Sequence, residues 1–121
     1  MRLVEALGID AEPIRVSPVE LWPSEGQCFV DGRRLDLSPR EFELLVALVS
    51  AAGHVVPRAR LYQLIWGQLM PSRRRDVDVY VAKLRVRLAE LAPGWSFIHT
   101  HNKFDYRFAP EEVVSWPTAP Q

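Results

Sequence analysis

Apolar positions along this chain repeat first every second residue, then every third or fourth, then every second again. Ile14 to Val16 and Val19 to Trp22 flank Ser17-Pro18, and Gln27 to Val30 follows the turn signal Glu25-Gly26. Leu35 and Leu37 then alternate with Arg34 and Asp36. A period of two is that of a half-buried strand. Asp31-Gly32 is a hairpin signal, because both central positions of a type I′ turn need positive φ. This part predicts an N-terminal antiparallel sheet of three or four strands.

The period then lengthens. Ser38-Pro39-Arg40-Glu41 opens a first helix. The Ser38 side chain can accept from the Glu41 amide, Glu41 can reach back to the Ser38 amide, and Pro39 sits where a missing N–H costs nothing. Phe42, Leu45, Val46 and Val49 form its buried stripe, and Gly53 is the expected C′ residue. His54-Val55-Val56 is a short connection with room for one β bridge. A second helix runs from about Arg58 to Trp66, burying Leu61, Leu64 and Ile65, and Gly67 ends it. After a loop from Gln68 to Ser72, a third helix runs from about Arg73 to Leu91. Val77, Val81, Leu84, Leu88 and Leu91 turn to the core at spacings of four, three, four and three. Asp76, Val79 and Lys83 fall opposite, with Arg75 and Ala82 at the edges, and Pro93-Gly94 stops the helix. Alternation returns in Phe97 to His101 and again in Phe104, Tyr106 and Phe108, a hairpin with Asn102-Lys103 at its tip.

The ends read differently. Residues 1–13 carry a short helical pattern at Leu3 and Leu7 and are expected to be a linker or the tail of an upstream domain. Residues 109–121 contain Pro110, Pro117 and Pro120, and proline suits neither a helix interior nor a sheet centre. That tail is expected to be mostly disordered, with Trp116 able to dock on the surface. The ordered domain is placed at 14–108. With 121 residues and 48% hydrophobic content the chain fits one packed domain. The sequence holds no apolar run of membrane-spanning length and no secretory signal, and its one cysteine, Cys28, forms no internal disulfide. A cytoplasmic location is expected.

Charge changes the picture most. The chain is neutral overall, yet residues 1–57 are net −4, residues 58–107 net +6 and the last fourteen net −2. Fields beyond roughly 8 Å are screened at physiological salt. A local +6 region can therefore bind phosphates despite a zero total. A solvated basic face is the alternative reading of one charged helix.

The order of strand group, three helices and hairpin is that of an α+β winged helix-turn-helix. At this point the chain resembles the DNA-binding effector domains of OmpR/PhoB-type response regulators, the output side of two-component systems. The likeness spans about residues 14–108. Leu37-Ser38-Pro39-Arg40-Glu41-Phe42-Glu43-Leu44-Leu45 is similar to the family's LT-x-x-E-x-x-LL. Gly53-His54-Val55-Val56, then Leu61 and Ile65-Trp66-Gly67, resemble G-x-V-V…L…V-W-G. Arg75 to Leu88 resembles R-x-V-D-V-H-I-x-x-L-R-x-K-L, and Ile98, Thr100 and Tyr106-Arg107-Phe108 resemble I-x-T-x-x-G-x-G-Y-R-F.

The resemblance implies a third helix in a major groove and a wing near the adjacent minor groove. A groove about 12 Å wide admits a helix, and a helix N-terminus is a ready phosphate site. Arg73, Arg74 and Arg75 crowd that end, unfavourably against the dipole unless an anion relieves them. Phosphate contacts are expected from those three and from Tyr80, Arg85, Arg87 and Lys103, with partial core burial as the alternative for Tyr80. Base reading is expected from Lys83 on a guanine edge, Val79 on a thymine methyl and Asp76 on a cytosine amino group. Partial burial is the alternative for Val79. Asp78 is expected to orient neighbouring arginines or to form a structural salt bridge.

Departures from the pattern matter. Asn102-Lys103-Phe104-Asp105 stands where the family has an arginine followed by Gly-x-Gly, so both glycines and the minor-groove arginine are missing. Asn102 tolerates positive φ, Lys103 does so at a cost, and Lys103 is the substitute phosphate contact. Ala82 replaces an often basic residue, Asp76 an often threonine one, and Pro57 a Ser or Thr cap. The loop with Gln68, Leu69 and Met70 corresponds to the family's RNA polymerase contact; Leu69 and Met70 either lie exposed for it or fold onto the core.

Nothing points to catalysis, a cofactor or a small-molecule substrate. His99 and His101 share a strand face without a third ligand nearby in sequence, and no receiver domain lies within these residues. The expected function is a sequence-specific double-stranded DNA-binding transcription regulator, a possible homodimer on tandem half-sites about one helical turn apart. The alternative is a winged-helix protein-interaction module, for RNA polymerase or another regulator, with weak or no specific DNA binding.

Overall fold

The structure, a computed structural model, describes residues 12–70 and 75–113. The expected helical pattern at Leu3 and Leu7, the loop residues Pro71 and Ser72, Arg73, Arg74 and Trp116 lie outside the described residues.

Four short strands form an antiparallel meander in the order β1 (Ile14–Val16), β2 (Val19–Trp22), β3 (Gln27–Val30) and β4 (Arg33–Leu35). Register puts Val19 opposite Val30, Leu21 opposite Cys28, and Cys28 opposite Leu35. All of these are buried, while Glu20, Phe29 and Arg34 take the other face. Asp31 at φ 53 and Gly32 at φ 78 make the expected left-handed turn between β3 and β4.

Helix α1 (Pro39–Ser50) begins with the reciprocal cap read from the sequence. The Glu41 amide donates to Ser38 Oγ at 3.3 Å and the Ser38 amide donates to Glu41 Oε1 at 2.8 Å. Leu44, Ala47 and Leu48 are buried along with the expected stripe, so α1 is the central helix of the core rather than a one-sided one. At its end Ala52, at φ 52, takes the left-handed position expected of Gly53, and Gly53 follows at φ 83.

Helix α2 (Arg58–Trp66) buries Leu61, Tyr62 and Ile65, and Leu64 is only half-buried. The exchange of Leu64 for Tyr62 has a local cause: the Tyr62 ring stacks on Trp66 at 4.8 Å and turns inward with it. Gly67, at φ 75, ends the helix. Helix α3 (Asp76–Leu91) packs Val77, Val81, Leu84 and Leu88 against α1, with Leu91 half-buried. Its first residue is Asp76, not Arg73, and Arg75 is the N-cap.

The hairpin of β5 (Trp95–His101) and β6 (Asp105–Glu112) closes the domain. β6 passes the expected boundary at 108 and pairs Glu111 with Ser96 and Glu112 with Trp95. Pro110 fits because the register shifts between Ser96 and Ile98, a bulge that needs no ladder donor from it. Val56 forms the anticipated bridge, exchanging both backbone hydrogen bonds with Tyr106 at 2.7 and 3.0 Å.

Candidate nucleic-acid interface

Because Val77, Val81, Leu84 and Leu88 anchor α3, helical geometry turns Val79, Ala82 and Val86 outward. Val79 is 49% and Val86 60% exposed, and Ala82, Lys83 and Ala89 are exposed beside them. This helix side has no cover from other described elements. Lys83 belongs to it, but its ammonium lies over the Tyr80 ring, 4.8 Å from the centroid. At an exposed site such a contact is worth about 0.5–1 kcal/mol, little enough for a ligand to lift it away. Tyr80 is half-buried, its other neighbour being Trp66 at 5.9 Å. Asp76 is half-buried and not free of partners.

The cations divide into two groups. Arg75 and Arg87 are exposed, Arg87 reaching only loosely toward Glu41 at 3.9 Å. Arg85 is committed elsewhere: Nε and Nη2 donate to the Ile98 carbonyl at 3.2 and 2.9 Å, and Nη2 to Thr100 Oγ1 at 2.9 Å. It fastens β5 to α3. Acidic Asp76 and Asp78 occupy the first turn of α3 and complement the helix dipole there.

Asp78 forms the structural salt bridge. Its Oδ2 accepts from Arg58 Nη1 at 2.7 Å, and its Oδ1 from the Tyr106 hydroxyl at 2.5 Å. Burial first, then the hydrogen bond and charge of Asp78, push the Tyr106 hydroxyl from 10.0 up to about 12. The Arg58 guanidinium also lies 4.5 Å over the Phe104 ring. Arg58 as the hub is not legible from its neighbours along the chain, since its partners come from α3 and the wing.

Both tip residues are left-handed, Asn102 at φ 49 and Lys103 at φ 71, so the turn keeps the geometry that glycine favours without any glycine. Lys103 is exposed, as is Phe104 at 46%. His99 Nε2 lies 2.7 Å from the Ala109 carbonyl and Arg107 Nε donates to His101 Nε2 at 3.2 Å. Among the described residues no group of three or more His, Cys, Asp or Glu could hold a metal ion. No described helix is long and apolar enough to cross a membrane. In the loop after α2, Leu69 is 81% exposed and Gln68 exposed, whereas Met70 packs against the core.

Arg40 adds a link not read from the sequence. Its Nη1 donates to the Ile65 carbonyl at 2.6 Å and its guanidinium lies 5.0 Å from the Trp66 ring centre. It thereby joins the start of α1 to the end of α2.

A family model described as "Transcriptional regulatory protein, C terminal" matches residues 32–108. The transcriptional regulatory protein PrrA of Mycobacterium tuberculosis is 36% identical over 90 residues, 74% of this chain and 38% of that protein. The chain thus spans well under half the length of that curated relative. The RstA DNA-binding domain of Klebsiella pneumoniae, crystallised in complex with the RstA box, is 28% identical with a TM-score of 0.73, covering 81% of this chain and 97% of that one. The DNA-binding domain of CpxR from E. coli is 27% identical with a TM-score of 0.71, covering 80% and 95%.

Proposed function

Because the chain belongs to the family of OmpR/PhoB-type transcriptional-regulator C-terminal domains, we propose that the outward side of α3 reads double-stranded DNA and that the chain acts as a sequence-specific regulator of transcription. The observation that carries this reading is the bare side of α3, where Val79, Ala82, Lys83 and Val86 stand exposed between Arg75 and Arg87. A helix of that kind fits a major groove.

Val79 meets a thymine methyl and Lys83, lifted off Tyr80, donates to a guanine edge. Asp76 contributes only at the margin of this surface, because it is half-buried with a partner already. Arg75, Arg87, Tyr80 and Lys103 contact phosphates, which fix position without reading sequence. Arg73 and Arg74 neighbour Arg75 in sequence and add to the same charge. Arg85 holds the wing on α3. Two copies bind tandem half-sites about one helical turn apart, in the cytoplasm. Family membership carries no enzymatic activity.

A protein contact accompanies DNA binding. Leu69 stands 81% exposed on the loop after α2, a position suited to docking on RNA polymerase, with Gln68 beside it. Met70 is spent on the core.

Selection from random duplexes at two salt concentrations tests the DNA reading. An enriched, repeated motif is expected, with weaker recovery at the higher salt. No enrichment at either salt would leave the protein-contact role alone.

A further inference from the structure

Helix α2 starts without a cap of its own. Pro57 is its N-cap residue and supplies no side-chain hydrogen bond. The amides of Arg60 and Leu61 both turn to the Pro57 carbonyl, at 3.0 and 3.1 Å. The Arg58 amide is served from elsewhere: Asp105 Oδ1, on the first residue of β6, accepts from it at 3.4 Å. A carboxylate at a helix N-terminus also complements the dipole. Asp105 stands between the exposed tip residue Phe104 and the buried Tyr106, whose backbone is bridged to Val56, two residues before Arg58. On the far side of Asp105, the Arg58 guanidinium covers the Phe104 ring and binds Asp78.

We propose that Asp105 is the positioning residue of the wing: its carboxylate caps α2 from the hairpin, so that α2, rather than turn residues, sets where Lys103 stands relative to α3. Without glycines the tip keeps a left-handed turn at Asn102 and Lys103. That turn is held at a fixed distance from the reading helix by Asp105 below it and Phe104 beside it. The wing is therefore ordered before any ligand arrives, and ordering it costs nothing on binding. The consequence for Lys103 rests on the DNA reading above; the tie between wing and α2 does not.

Amide hydrogen exchange in the free protein tests the tie. Asp105→Ala should speed exchange at Leu61, in the first turn of α2, and at Phe104, whose amide bonds to His101 at 3.2 Å, by about fivefold, the factor expected for one lost cap. Asp105→Asn, which keeps an oxygen acceptor, should retain most of the protection. Adding Pro57→Ser to Asp105→Ala should restore Leu61, which regains a local cap, but not Phe104. Unchanged exchange at Phe104 in Asp105→Ala, or its recovery together with Leu61 on adding Pro57→Ser, overturns the proposal. Duplex titration adds a second arm: Lys103→Gln should weaken binding in the Asp105 background and have little effect in Asp105→Ala. Equal losses in both backgrounds also overturn it. If exchange behaves as expected but no duplex binds, the tie stands and the DNA reading falls.

Discussion

Replacing Asp78 with alanine removes the partner of two groups at once. Arg58 loses a charge-assisted bond of 2.7 Å and the Tyr106 hydroxyl loses its acceptor. The side chains of Arg58 and Asp78 are only 15% and 23% exposed, so the guanidinium left behind is largely shielded from water. Breaking a buried pair by deleting one member costs about 3–5 kcal/mol. The residual exposure places this pair at or somewhat below the lower end, about 2–3 kcal/mol, and the stranded hydroxyl adds about 1 kcal/mol. Asp78→Ala should thus destabilise the fold by about 3–4 kcal/mol. Asp78→Asn, which keeps an oxygen for Tyr106, should cost about half as much. The pair Arg34–Asp36 is the control, with side chains 62% and 86% exposed, and Asp36→Ala should cost at most about 0.5 kcal/mol. Urea unfolding followed by tryptophan fluorescence reads all three. The Tyr106 hydroxyl, pushed up to about 12 in the native protein, should also titrate at lower pH in Asp78→Ala. A loss below about 1 kcal/mol, or equal losses for Asn and Ala, would refute the reasoning that shielding and charge make this bridge matter.

Other outcomes follow from the same structure. Leu45→Ala, at a fully buried position of α1, should cost about 2–5 kcal/mol in denaturant unfolding, and a smaller loss would remove Leu45 from the core. Ala52→Gly should stabilise by about 0.5–1 kcal/mol, because Ala52 holds φ 52 after α1; a lower denaturation midpoint would contradict this. Alkaline conditions should weaken the fold. Burial raises Cys28 from 9.0 and burial with Asp78 raises Tyr106 from 10.0, each to about 12. Both groups hold their protons more tightly when folded, so their contribution is complete below pH 9 and is lost as pH climbs to about 12. Tyr106→Phe should lessen the loss between pH 10 and 12, and an unaltered profile would count against the Tyr106 contribution.

The sequence disclosed what depends on near neighbours. The Ser38–Glu41 capping box, the Asp31-Gly32 turn and the α3 stripe from Val77 to Leu88 each follow from residues within a turn or a helical repeat. Longer-range facts stayed hidden. Arg58 meets Asp78 and Tyr106 meets Asp78 across 20 and 28 residues, distances no periodicity spans. Arg85 reads in the sequence as a phosphate contact, and only the fold shows that its guanidinium also donates to the Ile98 carbonyl of β5. Pro110 reads in the sequence as the start of a tail, and a bulge in β6 itself, where Ala109 and Pro110 stand against Phe97 alone, lets it sit within the strand. Lys83 faced outward as its helical position required, yet its resting place over Tyr80 depends on a rotamer that sequence does not specify.

The most direct test of the central claim is equilibrium titration of a selected duplex and a scrambled one, with the parent chain and with Lys83→Ala, each at two salt concentrations. The outward side of α3 predicts tighter binding of the selected duplex, a loss of about 1–3 kcal/mol there for Lys83→Ala, and little change on the scrambled one beyond the charge removed. Equal affinity of the parent chain for both duplexes, or undiminished discrimination by Lys83→Ala, would contradict it.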